Sequence, residues 1–333
     1  MDRYRSSLVA CLYGALMAIT AVPAVRAKDS EFGTLNLVIE NDSFAGHDRD
    51  YTNGILASWT TGPDQTPSWA RAVARWLPFF SEEGTVRASY GLGQSMFTPN
   101  DLSQEDPPGD DHPYAGWLYG SIGLFSETPT HLDQLQLQLG VVGPAALARQ
   151  AQTLVHEAIG STKPRGWDHQ LDNEPGIVIT YQRSWRLPIA DDIMGLALDA
   201  TPHLGAALGN VFTYANGGAT LRLGWNMPDD YGPPRIEPGL PASGYFEPQA
   251  DFGWYLFAGV EGRAVGRNIF LDGNSFQDSP SVEKNILVGD AQVGIALVFR
   301  AVRLAYTYVF RTPEFKGQDD ADKFGALSLS ARF

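Results

Sequence analysis

Oxygen-bearing side chains are concentrated in two short stretches near the amino terminus. Residues 40–42 are Glu-Asn-Asp, and residues 48–54 are Asp-Arg-Asp-Tyr-Thr-Asn-Gly. Carboxylate, amide and backbone oxygens are the ligands that Ca²⁺ takes up, whereas zinc cages are built mainly from Cys and His. The stretches could therefore hold a hard cation. A solvated acidic turn followed by an Asn-Gly kink explains the same residues, and the spacing alone favours this simpler interpretation.

A second kind of chemistry is suggested by residues 145–159, which show no strand alternation and are predicted to form a helix that ends at Gly160. Arg149, Gln152 and His156 are three or four residues apart, so they share one face of that helix. A histidine can act as a general base near neutral pH. Most single histidines on helices are ordinary surface or core residues, so the helix alone does not establish catalysis.

These residues lie between segments in which apolar and polar side chains alternate. In the clearest example, three leucines at 135, 137 and 139 interleave with glutamines at 134, 136 and 138. A period of two residues is typical of a β-strand with two different faces. We expect the leucines to face lipid and the glutamines to face an interior.

The same alternation recurs along the chain and predicts twelve strands. They are expected to begin near Gly33, Tyr51, Thr85, Trp117, His131, Gly176, Met194, Phe212, Gly253, Lys284, Val302 and Phe324. Each has the length that a tilted strand needs to cross a bilayer, and bacterial barrels have even strand numbers. The fold class is therefore all-β, a twelve-stranded antiparallel transmembrane β-barrel with a short helix in an extracellular loop. A secreted β-sandwich is the alternative.

Aromatic residues also fit a barrel. The chain ends in Phe333 after an alternating segment, as the last strands of outer-membrane barrels do. Other aromatic side chains near strand ends are expected to form girdles at the membrane interfaces. These are Trp59, Trp117, Trp225, Trp254 and Tyr306.

The amino terminus predicts export. A short basic start, an apolar run and small residues before a cut after Ala27 are the parts of a cleavable signal peptide, so residues 1–27 are assigned to it and 28–333 to the barrel. Cys11, the only cysteine, lies in the removed segment, which excludes disulfides and thiolate metal sites. A net charge of −14 disfavours nucleic acid as a partner.

If the mature chain starts in the periplasm, the connections at 41–50, 97–116 and 143–174 lie on the cell-surface side. They contain most of the sequence that a barrel does not explain, so function is expected at the outer rim.

The motifs in these connections resemble those of the outer-membrane lipid A 3'-O-deacylases. The matching motifs are Glu-Asn-Asp at 40–42, Asp-Tyr-Thr-x-Gly at 50–54, Gly-Val-Val-Gly-Pro at 140–144, His-x-x-Ile-Gly at 156–160 and Trp-x-x-Gln-x-x-Asn at 167–173. They span most of the first half of the chain, and the second half matches only as a barrel.

This resemblance implies an esterase of the bacterial outer membrane that removes an acyl (acyloxyacyl) chain from lipid A, a part of lipopolysaccharide, in the outer leaflet. It implies that His156 activates water and that Asn41, Asp42 and Thr52 are site residues that hold Ca²⁺. Gln152, which shares the helix face of His156, is expected to contact the substrate. We assign the same role to Gln170, which follows the helix. The oligomeric state stays open.

Two departures from the family pattern affect the substrate and the base. Members have a lysine in the second outer loop, but residues 97–116 contain none; Gln104 falls near its position and His112 is the only possible cation there. The family's glutamate beyond the helix aligns near Thr162. Glu157 or Glu174 would have to serve if a carboxylate is needed.

Other functions stay open. A porin is one, because charged residues fall on apparent inward faces, although these are better explained as a salt-bridged filling; conductance measurements distinguish the two. The charged residues are Arg87, Arg183, Arg222, Glu261, Arg263 and Asp290. A catalytically inactive barrel is another alternative. An outer-membrane phospholipase with a serine two residues from a histidine ranks lower, because no histidine has such a serine.

Overall fold

The computed structural model describes residues 32–42, 50–81, 83–236, 238–239, 243–318 and 320–333. The proposed signal peptide lies outside these residues, as does the part of the first outer connection from 43 to 49. At residues 50–52 only the backbone is described. No helix in these ranges combines the length and the apolar character that a membrane-spanning helix requires.

The described residues form one antiparallel sheet that closes on itself. Its strands are β1 (Thr34–Asn41), β2 (Asp50–Thr60), β3 (Thr85–Thr98), β4 (Ala115–Glu127), β5 (His131–Val142), β6 (Glu174–Trp185), β7 (Leu187–Ile193), β8 (Leu196–Gly209), β9 (Phe212–Trp225), β10 (Phe252–Asn268), β11 (Leu287–Phe299), β12 (Val302–Arg311) and β13 (Asp322–Arg332). The helices are α1 (Ser68–Trp76), α2 (Ala148–Ile159) and α3 (Ile269–Asp272).

The number of strands that cross the membrane is twelve, as the alternation predicted. Only Arg186 separates β6 from β7, and both pair with β8, so they are two parts of one bent strand. The remaining strands pair with their neighbours along the chain, and β1 pairs with β13. With β6 and β7 counted as one strand, each of the twelve begins within three residues of its predicted start.

The two ends of the barrel differ. One end, which we call the terminal end, carries both chain termini and tight turns such as Met194–Gly195, where both residues have the positive φ that a two-residue hairpin turn of this type requires. The opposite end, which we call the loop end, carries the connections that precede β2, β4, β6, β9, β11 and β13. The motifs of the sequence analysis lie at the loop end.

The two faces of β5 follow the predicted alternation. Leu137 pairs with Ile122 and Ile179 of the neighbouring strands, whose side chains are 46% and 47% exposed on the outside of the barrel. The three glutamines at 134, 136 and 138 line an internal cavity together with Gln182 and Tyr119. Burial of the polar face and exposure of the apolar face is the arrangement expected in lipid.

Two predicted faces are wrong. Trp117 belongs to no girdle, since it lies in the interior core and stacks on Tyr119 with ring centroids 5.4 Å apart. Arg183 lies on the outer surface, because its neighbour Gln182 faces the cavity and side chains alternate along a strand. It pairs with Asp133 at 2.7 Å and donates to the carbonyl of Phe79, so the chain segment after α1 covers its charge. The other charged residues predicted to face inward do so and form ion pairs.

Helix α1 lies on the outer surface at the terminal end. Ala70 and Ala74 pack into a cluster with Ala88 and Leu124 of the wall. The remaining surface divides into an apolar side with Trp69, Val73 and Trp76 and a basic side with Arg71 and Arg75. A helix with these two sides is suited to a membrane interface, where the apolar side meets acyl chains and the basic side meets phosphates.

The lumen is filled by the connection between β9 and β10, residues 226–251, which we call the plug. It starts at the terminal end, where β9 ends, and its buried residues include Tyr231, Ile236 and Phe246. Asp230, which is fully buried, pairs with Arg222 and Arg303 of the wall. The described part of the interior is thus occupied by ion pairs and aromatic rings and contains no wide channel.

We predict that Leu137→Arg destabilises the barrel by about 2–4 kcal/mol, the cost of an arginine near the middle of the bilayer on the lipid-facing side. Denaturant unfolding in lipid vesicles measures it, with Leu137→Ile as the volume-matched control. Normal stability of Leu137→Arg together with a damaging Gln136→Leu would mean that the faces are inverted.

Candidate functional site

Helix α2 packs against the outside of the barrel wall at the loop end. It contacts β3 and β4, and the contact is close because the residues are small: a Cβ added to Gly116 would lie 2.6 Å from the Cβ of Ala148. Beside this contact, the Gln94 side chain donates to the carbonyl of Ala146 at 2.6 Å. Met96 of β3 completes the apolar contact with Ala148. The helix is therefore attached to the lipid-facing surface and does not cover the lumen.

The start of α2 depends on Gly143, one of the glycines in the sequence motif. Its φ is +95°, and a Cβ there would lie 2.5 Å from the carbonyl oxygen of Asp172 in the returning chain. Leu147 also has a positive φ, 60°, where a short 3₁₀ turn passes into α2. The Asn173 side chain accepts a hydrogen bond from the backbone of Ala145 at 2.7 Å. These contacts set the direction in which the helix leaves the wall.

The segment after the helix holds its barrel-facing side in place. Trp167 is buried and donates from Nε1 to the Gln152 Oε1 at 2.7 Å, and Gln170 donates to the carbonyl of Trp167 at 2.9 Å. Tyr114 packs on Trp167, and its burial raises the pKa of the Tyr114 hydroxyl to about 12, so this group stays protonated at neutral pH. The Trp-x-x-Gln-x-x-Asn motif is thus a set of supports for α2.

The two glutamines predicted to bind substrate each have one amide atom engaged in these supports. In the described part of the chain, Nε2 of Gln152 and Oε1 of Gln170 are buried without a hydrogen-bond partner. A buried amide atom normally has a partner, because leaving it without one costs about 1–3 kcal/mol. Both atoms are therefore available for a bound molecule.

The end of α2 positions His156. Gly160 has a φ of +71°, which ends the helix in the left-handed conformation that glycine adopts without strain, and its N–H donates to the His156 carbonyl. The chain then turns back, so that the Thr162 carbonyl oxygen lies 2.5 Å from Nδ1 of His156. Because a carbonyl can only accept, Nδ1 must carry the proton in this contact. The neutral ring then has its lone pair on Nε2.

This contact lies where the family pattern has a glutamate that this chain lacks. Thr162 aligns near a glutamate of the family, and its backbone oxygen contacts the imidazole where a carboxylate was expected. The two carboxylates considered as substitutes are elsewhere: Glu157 is exposed on α2, and Glu174 accepts hydrogen bonds from Asn210, Asn274 and Ser275. No sequence signal identifies the carbonyl, because every residue has one.

His156 is a residue of α2 and is 7% exposed. The other histidines of the described ranges lie elsewhere. His112 stacks on Phe97 in the mouth of the lumen and contacts the Pro113 carbonyl. His203 lies in the lumen beside Glu261, while His131 is at the terminal end. His169 is half exposed in the third loop.

The first-loop residues lie at the ends of neighbouring strands. Asn41 pairs with Asn53, and the register between β2 and β3 shifts between Tyr51 and Asn53, which leaves Thr52 as a bulge residue. β-bulges often occur beside active sites, where they redirect a side chain. Asp42 follows directly and is 2% exposed. The backbone register thus brings the three predicted metal ligands to one corner of the loop end.

The donor set at this corner fits a hard cation by its chemistry. Asp42 offers a carboxylate, Asn41 an amide oxygen, and the strand ends offer backbone carbonyls, which together are ligands of the type that Ca²⁺ prefers. Among the residues that the structure describes, no three His, Cys, Asp or Glu side chains form a metal-holding group. A site here would depend on neutral oxygens beside the single carboxylate.

The second outer loop lacks the family's lysine but has an arginine beside it. Arg165 lies in the segment after α2, and its backbone N–H donates to the Leu102 carbonyl at 3.0 Å. Its guanidinium lies 3.5 Å from the Glu105 carboxylate. Both side chains are more than half exposed, so this ion pair is weak and Arg165 could turn to another anion.

A closed twelve-stranded barrel with an apolar outer belt and long connections at one end defines the class of protein, an outer-membrane β-barrel. The sequence model of the family "Outer membrane protein LpxR" matches residues 10–333, and this chain belongs to that family. It is the family of outer-membrane lipid A deacylases that the motifs resemble.

A solved structure supports the fold. LpxR from Salmonella typhimurium is 24% identical, with 90% of this chain and all of that chain covered and a TM-score of 0.73. The β domain of the Bordetella autotransporter BrkA is 8% identical, with 91% and 97% of the chains covered and a TM-score of 0.41. The translocator domain of NalP from Neisseria meningitidis is 11% identical, with 99% and 97% covered and a TM-score of 0.39. No protein in the curated set matches.

We predict that His156 carries its proton on Nδ1 when neutral, because Thr162 offers only an acceptor. Nitrogen-15 chemical shifts of labelled histidine in detergent measure the tautomer. Thr162→Ala should leave it unchanged, since the contact is to the backbone, whereas Gly160→Val should disturb it by straining the left-handed turn. A proton found mainly on Nε2 would contradict the assignment.

Proposed function

We propose that this protein hydrolyses an acyl ester of lipid A in the outer leaflet and that His156 activates the attacking water. The observation that carries the proposal is the position of His156: it is buried on α2, which packs on the outside of the wall, with Nδ1 held by a carbonyl and Nε2 left to accept a proton. His156 therefore lies outside the barrel, on the side where membrane lipids are, whereas His112 and His203 lie in the lumen.

In the proposed reaction, Nε2 of His156 takes a proton from water as the water oxygen attacks the ester carbonyl carbon. The Thr162 carbonyl keeps the ring oriented and stabilises the imidazolium that forms. When the tetrahedral intermediate collapses, Nε2–H returns the proton to the departing alkoxide, so the products are a free fatty acid and an alcohol on lipid A. General-base catalysis of this kind typically contributes about 10²–10⁴-fold to the rate.

Asn41, Asp42 and Thr52 are the residues that we propose to hold Ca²⁺. When bound, the ion would stabilise negative charge on the substrate carbonyl oxygen. The placement of α2 is compatible with such a site, because the helix contacts β4 and β3, and β3 lies next to β2 in the sheet. His156 lies eight residues beyond Ala148, or about 12 Å along a helix, which is the width of two to three strands.

The surroundings of the helix suit an amphiphilic substrate. Leu147, Leu154 and Val155 of the α2 region are half exposed or more, and they can pack against acyl chains. The buried amide atoms of Gln152 and Gln170 can contact the polar part of the ester. Arg165 beside the second loop is the cation that we propose in place of the family's lysine, as a contact for a lipid phosphate.

The alternatives are less well supported. A passive channel requires an open lumen, but the plug and its ion pairs fill the described interior. An inactive barrel does not explain why the His156 ring is oriented by a carbonyl or why amide atoms of Gln152 and Gln170 are buried without a partner. A serine phospholipase of the kind considered needs a serine two residues from a histidine, which the sequence lacks. Mass spectrometry of lipid A from cells with and without the protein is the direct test of the proposed substrate.

We predict that His156→Asn abolishes lipid A deacylation and leaves the barrel folded, because asparagine cannot accept the proton at neutral pH. Thin-layer chromatography of labelled lipid A measures the activity, and heat-modifiable gel mobility reports the fold. His112→Asn is the matched control and should stay active. Activity in His156→Asn would remove the base from the proposal, and equal loss in both variants would suggest that the second loop supplies the base.

We also predict that chelator abolishes the activity of the purified protein and that added Ca²⁺ restores it. Asp42→Ala should stay inactive even at high Ca²⁺, because it removes the anionic ligand, whereas Asp101→Ala, an exposed loop-end aspartate, should respond as the wild type does. Full activity in chelator, in protein that contains no metal, would exclude the role of the ion.

A further inference from the structure

The plug is fastened to the barrel wall at the terminal end. Asp229 and Glu247 pair through two backbone hydrogen bonds and close the base of the plug. Their side chains are bound to the wall, Asp229 by Arg186 and Glu247 by Arg87. These contacts explain how the plug stays in the lumen, but they lie far from the loop end.

The tip of the plug reaches the outer part of β1. Arg235 Nε donates to Glu40 Oε1 at 2.9 Å, and the backbone N–H of Ile236 donates to the same oxygen at 3.1 Å. Both charged side chains are at most 3% exposed. Arg235 also donates to Gln292 at 3.3 Å. Lower on the same strand, Asn36 donates to the plug carbonyl of Gly244 at 2.8 Å. The plug thus contacts β1 at two heights.

Glu40 is the first residue of the Glu-Asn-Asp motif, and the catalytic proposal gives it no role. Its side chain points into the lumen, and Asn41 follows on the opposite face because side chains alternate along a strand. β1 ends at Asn41, one residue beyond Glu40. Contacts that hold the Glu40 carboxylate therefore restrain the end of β1, next to Asn41 and Asp42.

The Arg235–Glu40 pair is unnecessary for closing the barrel, because β1 is hydrogen-bonded along its length to β2 and β13. Buried ion pairs add little net stability, since desolvation offsets their attraction, but they can select one arrangement over others. Two donors on one carboxylate oxygen define the position of that carboxylate more closely than one does. The pair is thus suited to fixing the local geometry of β1.

We propose that Arg235 is a positioning residue that braces the outer end of β1 through Glu40 and so holds Asn41 and Asp42 in place for the metal site. This inference rests on the proposed function for the metal and on the observed contacts for the brace. It makes the plug a link between the terminal end of the barrel and the proposed metal site at the loop end. The loop end is then supported from inside the lumen.

The test compares Arg235→Gln and Glu40→Gln with the wild type in detergent. Hydrogen exchange followed by mass spectrometry measures the protection of the backbone at Asn41 and Asn53, and isothermal titration with Ca²⁺ measures affinity. We expect both variants to lose protection at these amides and to bind Ca²⁺ about fivefold or more weakly, as for coupled sites. Glu247→Gln is the matched control, because it removes a plug ion pair at the terminal end, and should behave as the wild type does.

The double variant Glu40→Gln/Arg235→Gln covers the case in which a single variant fails to fold, because it leaves no unpaired charge in the lumen. It should fold, lose part of the protection at Asn41 and recover part of the Ca²⁺ affinity relative to the single variants. Wild-type protection in Arg235→Gln, or an equal effect of Glu247→Gln, overturns the brace and makes the plug a general filling. If the wild type binds no Ca²⁺, the proposed metal site fails, and the exchange at Asn41 still decides the brace.

Discussion

Backbone hydrogen bonding is the constraint on which the rest of this structure depends. Inside a bilayer no water can satisfy a free N–H or C=O, so a sheet that crosses must close into a ring. Here closure requires β1 to pair with β13 and the bent strand of β6 and β7 to pair with β8. Once the ring is closed, every side chain faces either lipid or lumen. Residues that are not needed for the lipid-facing or lumen-facing wall lie at the rim and on the loops, and these are the residues available for chemistry.

The candidate site lies on the lipid-facing surface. A lipid could reach such a site without leaving the membrane. Small residues make this possible, because Gly116 and Ala148 allow α2 to approach the wall. The orientation of His156 then depends on where the helix ends, since Gly160 turns the chain so that the Thr162 carbonyl meets the imidazole. A backbone oxygen can orient a histidine ring as a carboxylate does.

The lumen has its own organisation. Five of its arginines, at 87, 222, 263, 303 and 311, are paired with carboxylates of the wall or the plug. Such pairs are costly to desolvate and costly to break, so they favour a single arrangement more than they favour stability. The plug contributes partners at the terminal end through Asp229, Asp230 and Glu247 and at the outer half through Arg235. Ion pairs therefore attach the plug to the wall at the terminal end and also join it, through Arg235, to Glu40 of β1.

The sequence by itself determined the strands, their number, the helix in the third loop and the family, because each depends on a local period or on a motif of a few residues. The alternation of Leu137 with its glutamine neighbours is one such local signal. Only the tertiary structure decided that Arg183 lies outside and Trp117 inside, that the Thr162 carbonyl contacts the His156 imidazole, and that the plug enters the lumen. Glu40 and Arg235 are 195 positions apart, and a contact of that kind leaves no period in the sequence, because it arises only when the closed wall brings distant segments together.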